Sequence, residues 1–388
     1  MSTSNAGYRR SIEMERFATL FGEFSLSRYP VRAKEKLRAW DAADEYLLNF
    51  LADEDLLSQS RKLLILNDSF GALGTALAQF APVSQVDSFL AEEATRQNLS
   101  NNGLSVDAVS LIDSLQTHRT RYDLVLVRVT KTLALLEDEL LRLRPHLADN
   151  CRIIGCGMVK QIHSSTLKLF ESVIGPTRTS LAKKKARLIF SDPDTTLPVS
   201  SSPYPLSYSL EDSEYRLINH ANVFSRDRLD IGTRLLLQHI PAQGLSEIVD
   251  LGCGNGVVGL IAAERNPHAR IHFVDESYMA VASAKATFVA SGMGNSAVFR
   301  VADALSGFTP ETVDLVLCNP PFHQQQVVGD FIAWRMFSQA VKVLKRGGEL
   351  RIVGNRHLNY HAKLKRLFGN VEQLSVDPKF VILRAVKR

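Results

Sequence analysis

The stretch Ile248-Val-Asp-Leu-Gly-Cys-Gly-Asn-Gly-Val-Val-Gly259 decides the fold of this 388-residue chain. Its apolar start predicts a buried strand that ends near Asp250, and the alternating glycines that follow predict a tight turn whose backbone a ligand can approach closely. A helix is predicted to begin near Val257, so that its amide N–H groups and its positive end face an anionic group of the ligand. Gly259 would let this helix pack against the sheet.

The spacing of these glycines separates two kinds of nucleotide-binding loop. A dinucleotide-binding fold requires the pattern G-x-G-x-x-G, which places a third glycine five residues after the first. Counted from Gly252, that position is 257, where the chain has valine. The loop therefore departs from the dinucleotide pattern, and its predicted ligand-binding residues are Asp250, Gly252, Cys253, Gly254, Asn255 and Gly256.

Acidic residues follow two further predicted strands. Asp275 and Glu276 come at the end of Ile271-His-Phe-Val, where a carboxylate can accept both hydroxyls of a ribose. An alternative for Asp275 is that it only caps the helix that begins near residue 277. Asp303 and Ala304 follow a strand-like segment at 297–301, where we expect contact with an adenine, although an ordinary turn aspartate is equally consistent with the sequence.

The tetrapeptide Asn319-Pro-Pro-Phe322 follows the apolar run 313–318 and suggests a reaction at nitrogen. An exocyclic amine is a poor nucleophile because its lone pair is delocalised into the ring. The Asn319 side-chain oxygen and the Pro320 carbonyl can accept both N–H protons and so turn the lone pair toward an electrophile. Pro320 and Pro321 stiffen the strip, which presets the acceptors. Phe322 is then free to stack on the base.

The residues after the tetrapeptide include His323 and Gln324, which can read a base edge or simply lie in a solvated loop. A base inside a duplex cannot reach such a pocket, so the substrate must be single-stranded or flipped. We expect neither a metal nor a strong general base, because the proton can leave after transfer. The four cysteines contain no CxxC motif and no histidine partner at zinc spacing.

Composition places the chain among ordinary soluble proteins with a mild preference for polyanions. Its net charge is +5, and no apolar run approaches the roughly 20 residues of a membrane span. The first residues lack the apolar core of a signal peptide, so we expect a cytoplasmic protein. Basic clusters occur at 28–38, 183–187 and 363–366. We expect Lys183, Lys184 and Lys185 to contact nucleic acid, although a solvated face is the common alternative.

A faint repeat divides the chain in two. Gly71-Ala-Leu-Gly74 aligns with the glycines at 256 and 259, and Tyr122-Asp-Leu-Val-Leu-Val127 aligns with the run 313–318. In each half, apolar runs alternate with amphipathic stretches, which predicts a doubly wound α/β domain with a largely parallel sheet. The proline-rich segment 191–205 is the predicted linker between domains at 1–190 and 206–388. The first half lacks the site, because Arg128-Val-Thr-Lys131 stands where the second half has the tetrapeptide.

With these motifs, the chain closely resembles the bacterial ribosomal RNA guanine-N2 methyltransferases with tandem class I methyltransferase domains. The resemblance covers nearly the whole chain and includes Phe224-Ser-Arg-Asp227 and Leu64-Ile-Leu-Asn-Asp-Ser-Phe-Gly71. It implies S-adenosylmethionine as cofactor, N2-methylguanine as product and a degenerate first domain that supports folding and RNA capture. From chain order, segment 224–233 precedes the first strand of the second half, and we expect it to close over the methionine end of the cofactor.

The resemblance is closest to members that modify the 23S RNA of the large subunit, with the 16S RNA enzymes as the near alternative. A protein glutamine methyltransferase and an RNA-binding assembly factor are more distant alternatives. We expect a monomer, because two similar domains can bury each other's faces. The sequence does not indicate which guanine is modified, whether naked RNA or an assembled subunit is the substrate, or how the domains are oriented.

Overall fold

The computed structural model describes residues 15–32, 35–242, 244–321 and 326–388. The first half contains β1 (Glu15–Thr19), β2 (Gly22–Leu26), α1 (Ala42–Asp53), β3 (Leu63–Leu66), α2 (Ala72–Ala76), β4 (Val83–Val86), α3 (Phe89–Asn101), β5 (Ser110–Asp113), β6 (Tyr122–Arg128), α4 (Leu133–Leu143), β7 (Leu147–Met158), α5 (Ser164–Val173), β8 (Thr177–Thr179) and β9 (Ala186–Ser191). The second half contains β10 (Leu206–Ser209), β11 (Arg216–Asn219), α6 (Ile231–Gln238), β12 (Glu247–Leu251), α7 (Val257–Arg265), β13 (Arg270–Asp275), α8 (Tyr278–Ala290), β14 (Ala297–Val301), β15 (Val313–Cys318), α9 (Gln326–Val343), β16 (Leu344–Asn355), α10 (Tyr360–Phe368), β17 (Glu372–Val376) and β18 (Phe380–Val386).

Each half forms one seven-stranded sheet with the same strand order. The orders are β5-β4-β3-β6-β7-β9-β8 and β14-β13-β12-β15-β16-β18-β17. The first five strands of each order are parallel, whereas β9 and β18 pair antiparallel with their neighbours. The predicted fold of two tandem doubly wound α/β domains is confirmed.

Apolar side chains cover both faces of the second sheet. Ile248 of β12 packs in one buried cluster with residues of α6, α7 and α8, and the next residue, Val249, packs in another with residues of α9 and α10. Successive strand residues point to opposite faces of the sheet. A strand such as β12, which is covered by helices on both faces, is therefore expected to be a nearly continuous apolar run. Asp250 interrupts this pattern.

The repeat extends beyond the sheets. Each half begins with an antiparallel hairpin, β1-β2 or β10-β11, followed by a helix that precedes the first sheet strand. Gly71 and Gly256 cap α2 and α7 with φ of 71° and 80°, so the residue before each helix has the same left-handed backbone conformation in both halves. Residues 192–205, which cover nearly all of the predicted linker, contain no strand or helix. The domain boundaries at residues 190 and 206 stay a prediction.

The two halves contact each other through equivalent segments. Phe89 N–H, at the start of α3, donates to the Glu276 carbonyl at 2.8 Å, and Tyr278 N–H, at the start of α8, donates to the Asp87 carbonyl at 3.0 Å. These reciprocal bonds place the end of β13 at the domain interface. Among the described helices, none is long and apolar enough to cross a membrane.

Candidate active site

The glycine turn after β12 has three glycines with positive φ for different physical reasons. A Cβ on Gly256 would lie 2.9 Å from the Cα of Ala284 in α8, so this glycine is required by packing. A Cβ on Gly252 would lie 3.4 Å from Met336 Cε. A Cβ on Gly254, which has φ of 52°, would have no described atom within 4 Å. The open side of the turn is therefore at Gly254, where a ligand can approach the backbone.

Asp250 supports this turn from within the sheet. Its carboxylate is buried and accepts the N–H of Gly259, in the first turns of α7, at 2.8 Å. Burial raises the pKa of Asp250 to about 8. The side chain of Asn255 donates to Asn219 at 3.0 Å, which ties the turn to the hairpin β10-β11. The structure thus gives both predicted loop residues a role in shaping the turn, and direct ligand contact by either stays a prediction.

Asp275 lies beneath the open side of the turn. Its two oxygens accept the N–H of Gly254 at 3.0 Å and the N–H of Ser277 at 3.1 Å. Ser277 itself caps α8, so the cap that sequence reasoning considered for Asp275 belongs to the serine. Burial raises the pKa of Asp275, and the two N–H donors oppose this shift. The remaining lone pairs leave the carboxylate able to accept further hydrogen bonds.

Glu276 differs from its predicted environment. Its carboxylate accepts a short hydrogen bond from the Ser88 hydroxyl of the first domain. Burial raises the pKa of Glu276 to about 7. The sequence offered no signal for this contact, because the two residues are 188 positions apart. The structure therefore places Glu276 at the domain interface, and its predicted cofactor contact is not needed to explain its position.

Asp303 also has partners that the sequence did not reveal. Its buried carboxylate accepts the Nε–H of Arg335 in α9 at 2.8 Å, and the hydroxyl of Tyr29 in the first domain donates to it at 3.2 Å. A second bond from Arg335 completes a bidentate pair. Ala304 follows with φ of 48°. Asp303 is thus more than an ordinary turn aspartate, and its contact with adenine stays a prediction.

Asn319 directly follows β15 and lies beside the start of α6. Its Nδ2 donates to Thr233 Oγ1 at 2.8 Å and to Asp230 Oδ2 at 3.4 Å. Its Oδ1 is buried and has no hydrogen-bond partner among the described residues. A buried oxygen without a partner costs free energy, and such atoms are concentrated at functional sites. Pro320 is buried and Pro321 is exposed, while Phe322, His323 and Gln324 lie outside the described residues.

The equivalent place in the first domain is filled. Arg128 ends β6, as Asn319 follows β15, and its guanidinium binds Asp41 at 3.0 and 3.2 Å and Asp44 at 3.3 Å. Asp68 has the structural role that Asp250 has in the second domain, because its buried carboxylate accepts the N–H of Gly74, the counterpart of Gly259, at 2.8 Å and that of Ala72 at 3.0 Å. In the first domain, internal ion pairs thus stand at the position that Asn319 has in the second domain.

Two family profiles match successive parts of the chain. The RLMG N-terminal domain profile matches residues 14–195, and the methyltransferase small domain profile matches residues 214–384. The Streptomyces coelicolor protein named ribosomal RNA large subunit methyltransferase G is 53% identical over 375 residues, which cover 95% of this chain and 99% of the relative.

The chain belongs to the ribosomal RNA large subunit methyltransferase G family. A Pseudomonas paraeruginosa member is 52% identical over 376 residues and covers 96% of this chain. Among solved structures, a 16S rRNA N2 methyltransferase of T. thermophilus, in complex with AdoMet and guanosine, matches with a TM-score of 0.75 at 21% identity. That match covers 97% of this chain and 98% of the other, so both proteins have the same two-domain fold.

The predicted nucleic-acid residues Lys183, Lys184 and Lys185 lie in the turn between β8 and β9 of the family's N-terminal domain. Lys184 pairs with Glu45 of α1 at 2.8 Å, and the Lys183 ammonium lies 4.9 Å from the ring centroid of Tyr46. The same face has a cavity of about 350 Å³ lined by Arg16, Trp40 and Lys184, among others. RNA contact by these lysines stays a prediction.

Proposed function

We propose that this protein transfers a methyl group from S-adenosylmethionine to the exocyclic N2 of a guanine in 23S ribosomal RNA. The observation that carries the proposal is the buried Asn319 Oδ1, which lacks a hydrogen-bond partner among the described residues while the Nδ2 of the same amide is bound by Thr233. The names of the relatives support ribosomal RNA of the large subunit as substrate. The proposed place of action is the cytoplasm.

The second domain has the features that this cofactor requires. The Gly254 backbone leaves open space, the Asp275 carboxylate lies beneath it, and α7 begins directly after the turn. We assign the ribose hydroxyls to Asp275 and the methionine carboxylate to the amides at the start of α7. The adenine lies toward Asp303 and Ala304 in this proposal. S-adenosylmethionine supplies an electrophilic methyl group on a sulfonium.

The residues of the chain then act on the guanine amine. Asn319 Oδ1 and the Pro320 carbonyl each accept one N–H of the amine, so its lone pair turns toward the methyl group. Because Asn319 is fixed before the substrate arrives, little ordering remains to be done during the reaction. The proton leaves after the methyl group has been transferred, and no carboxylate near Asn319 needs to act as a strong base. Phe322, His323 and Gln324 are the proposed contacts to the base.

The first domain is proposed to hold RNA and to support the second domain, because the ion pairs of Arg128 stand where the second domain has Asn319. Its lysines at 183–185 would contact phosphates, whose binding depends strongly on salt. We propose that the chain acts as a monomer, since equivalent segments of its two domains already pack against each other.

The test is to incubate the protein with methyl-labelled S-adenosylmethionine and, separately, with deproteinised 23S RNA, 16S RNA and both assembled subunits. Digestion to nucleosides then identifies the labelled product. We expect labelled N2-methylguanosine from 23S RNA or from the large subunit, and the two rates show which form is preferred. Label in 16S RNA alone would show that the RNA of the small subunit is the substrate. Label in none of the RNAs would overturn the proposal.

A further inference from the structure

The side-chain amide of Asn319 can point in two ways, and only one of them suits the proposed reaction. Rotation by half a turn exchanges its oxygen, which accepts hydrogen bonds, with its nitrogen, which donates them. If the nitrogen faced the guanine amine, two donors would meet. The protein therefore needs a device that fixes the orientation of this amide.

Two residues at the start of α6 form such a device. Asp230 caps the helix, and its Oδ2 accepts the N–H of Thr233 at 2.8 Å. The Thr233 hydroxyl lies 3.3 Å from the same oxygen and donates to it, which leaves a hydroxyl lone pair for the Asn319 Nδ2 at 2.8 Å. Thr233 is only 7% exposed, so water does not substitute readily for it. A reversed amide would set its oxygen against the acceptor oxygen of Asp230, and it could accept from the Thr233 hydroxyl only if that hydroxyl gave up its bond to Asp230.

We propose that Thr233, supported by Asp230, is a positioning residue that fixes which atom of Asn319 faces the substrate amine. This inference rests on the proposed function for its meaning, although the orientation itself can be measured without any reaction. Closure of segment 224–233 over the cofactor stays a prediction, and the hydrogen bonds of Thr233 give this residue a contact with Asn319 that the sequence did not indicate.

The first domain supports the inference independently. Asp41 caps α1 as Asp230 caps α6, and Asp44 occupies the same third helical position as Thr233. These two carboxylates bind Arg128, which stands at the position of Asn319. In both domains the third helical residue therefore touches the residue at the strand end. Its chemistry also matches, since a carboxylate pairs with the guanidinium and a neutral hydroxyl pairs with the amide.

The decisive variant is Thr233→Val in the full-length chain, because valine has nearly the same shape and lacks the hydroxyl. The first measurement is the NMR spectrum of the Asn319 side-chain NH2 group, assigned by its loss in Asn319→Ala. We expect Thr233→Val to shift these resonances and speed their exchange with solvent, and Thr233→Ser to restore them. Unchanged resonances in Thr233→Val would overturn the proposal whether or not the protein methylates RNA.

The second measurement is methyl transfer to 23S RNA. We expect kcat to fall by up to about 100-fold in Thr233→Val, the loss that a misplacement of about 1 Å can cause, with little change in cofactor affinity. Thr233→Ser should recover most of the rate. In an Asn319→Ala background, Thr233→Val should cause no further loss, because it acts through Asn319.

A matched control is Thr287→Val. Thr287 is also buried, and its hydroxyl accepts the N–H of Ile218 at 2.9 Å, away from Asn319. This variant should lose similar stability and keep its kcat. Equal losses of kcat in both threonine variants, or weaker cofactor binding in Thr233→Val with an unchanged kcat, would contradict the positioning role. If the wild-type chain methylates no RNA, the proposed function fails, and the NMR result still decides the orientation.

Discussion

Replacement of Gly254 by alanine tests whether the open side of the glycine turn binds the cofactor. Gly254 has φ of 52°, a conformation that costs alanine about 1–2 kcal/mol. Alanine also lowers the conformational entropy of the unfolded chain, which offsets about 0.4–1 kcal/mol of this cost. Because the new Cβ would meet no described atom within 4 Å, no packing cost is added. We therefore expect a loss of about 1 kcal/mol in the free energy of unfolding.

We expect Gly254→Ala also to weaken cofactor binding, by an amount that its small loss of stability does not explain. The added methyl group occupies the space in which we place the ligand, and forcing an extra carbon into a filled site costs about 1–3 kcal/mol. That cost corresponds to a roughly 5- to 150-fold increase in the dissociation constant. Calorimetric titration with S-adenosylhomocysteine measures the affinity, and urea unfolding measures the stability.

Gly292→Ala is the matched control for this experiment. Gly292 follows α8, has φ of 69°, and a Cβ built on it would likewise meet no atom of the described residues within 4 Å. It should lose the same stability and bind the cofactor normally. If Gly254→Ala binds S-adenosylhomocysteine as tightly as the wild-type chain does, the cofactor does not lie against this turn and our reasoning is refuted.

Two further predictions concern buried charges. Arg128→Met leaves Asp44 buried without its partner, so we expect the free energy of unfolding, measured in urea, to fall by roughly 3–5 kcal/mol. The rate of methyl transfer per folded molecule should not change, and a lower rate in the fully folded variant would give the first domain a catalytic role. Burial raises the pKa of Glu276 from 4.5 to about 7, so the folded chain binds more protons than the unfolded chain between these values and its stability falls as pH rises through them. Glu276→Gln keeps an acceptor for Ser88 but does not titrate, so its free energy of unfolding relative to the wild-type chain should rise by about 1–2 kcal/mol from pH 5 to pH 8, after allowance for the partial exposure of Glu276. The same difference between the two chains at both pH values would contradict this.

The sequence was sufficient for the parts of the fold that depend on local pattern. Alternating apolar runs and amphipathic stretches predict two doubly wound sheets, and the glycine turn predicts a helix at Val257. The sequence also predicts a strand that ends at Asp275 and another that ends just before Asn319, as in the structure. These positions depend on the local pattern of apolar residues and not on contacts between distant side chains.

Contacts across the domain interface could not be predicted in this way. Tyr29 binds Asp303 from 274 positions away, and Ser88 binds Glu276 from the other domain. Such contacts depend on how two folded domains pack, and no periodic pattern in the chain encodes that packing. The orientation of the Asn319 amide was equally hidden, because it depends on the Thr233 hydroxyl and not on the spacing of motifs.

The measurement that tests the central claim most directly is the single-turnover rate of methyl transfer to 23S RNA by Asn319→Ala. The account predicts a fall of roughly 10²- to 10³-fold, the range found when one preorganised hydrogen-bonding group is removed from a site of this kind. Cofactor affinity should stay nearly unchanged, since Asn319 acts on the amine. A variant that transfers methyl groups at the wild-type rate would contradict the account.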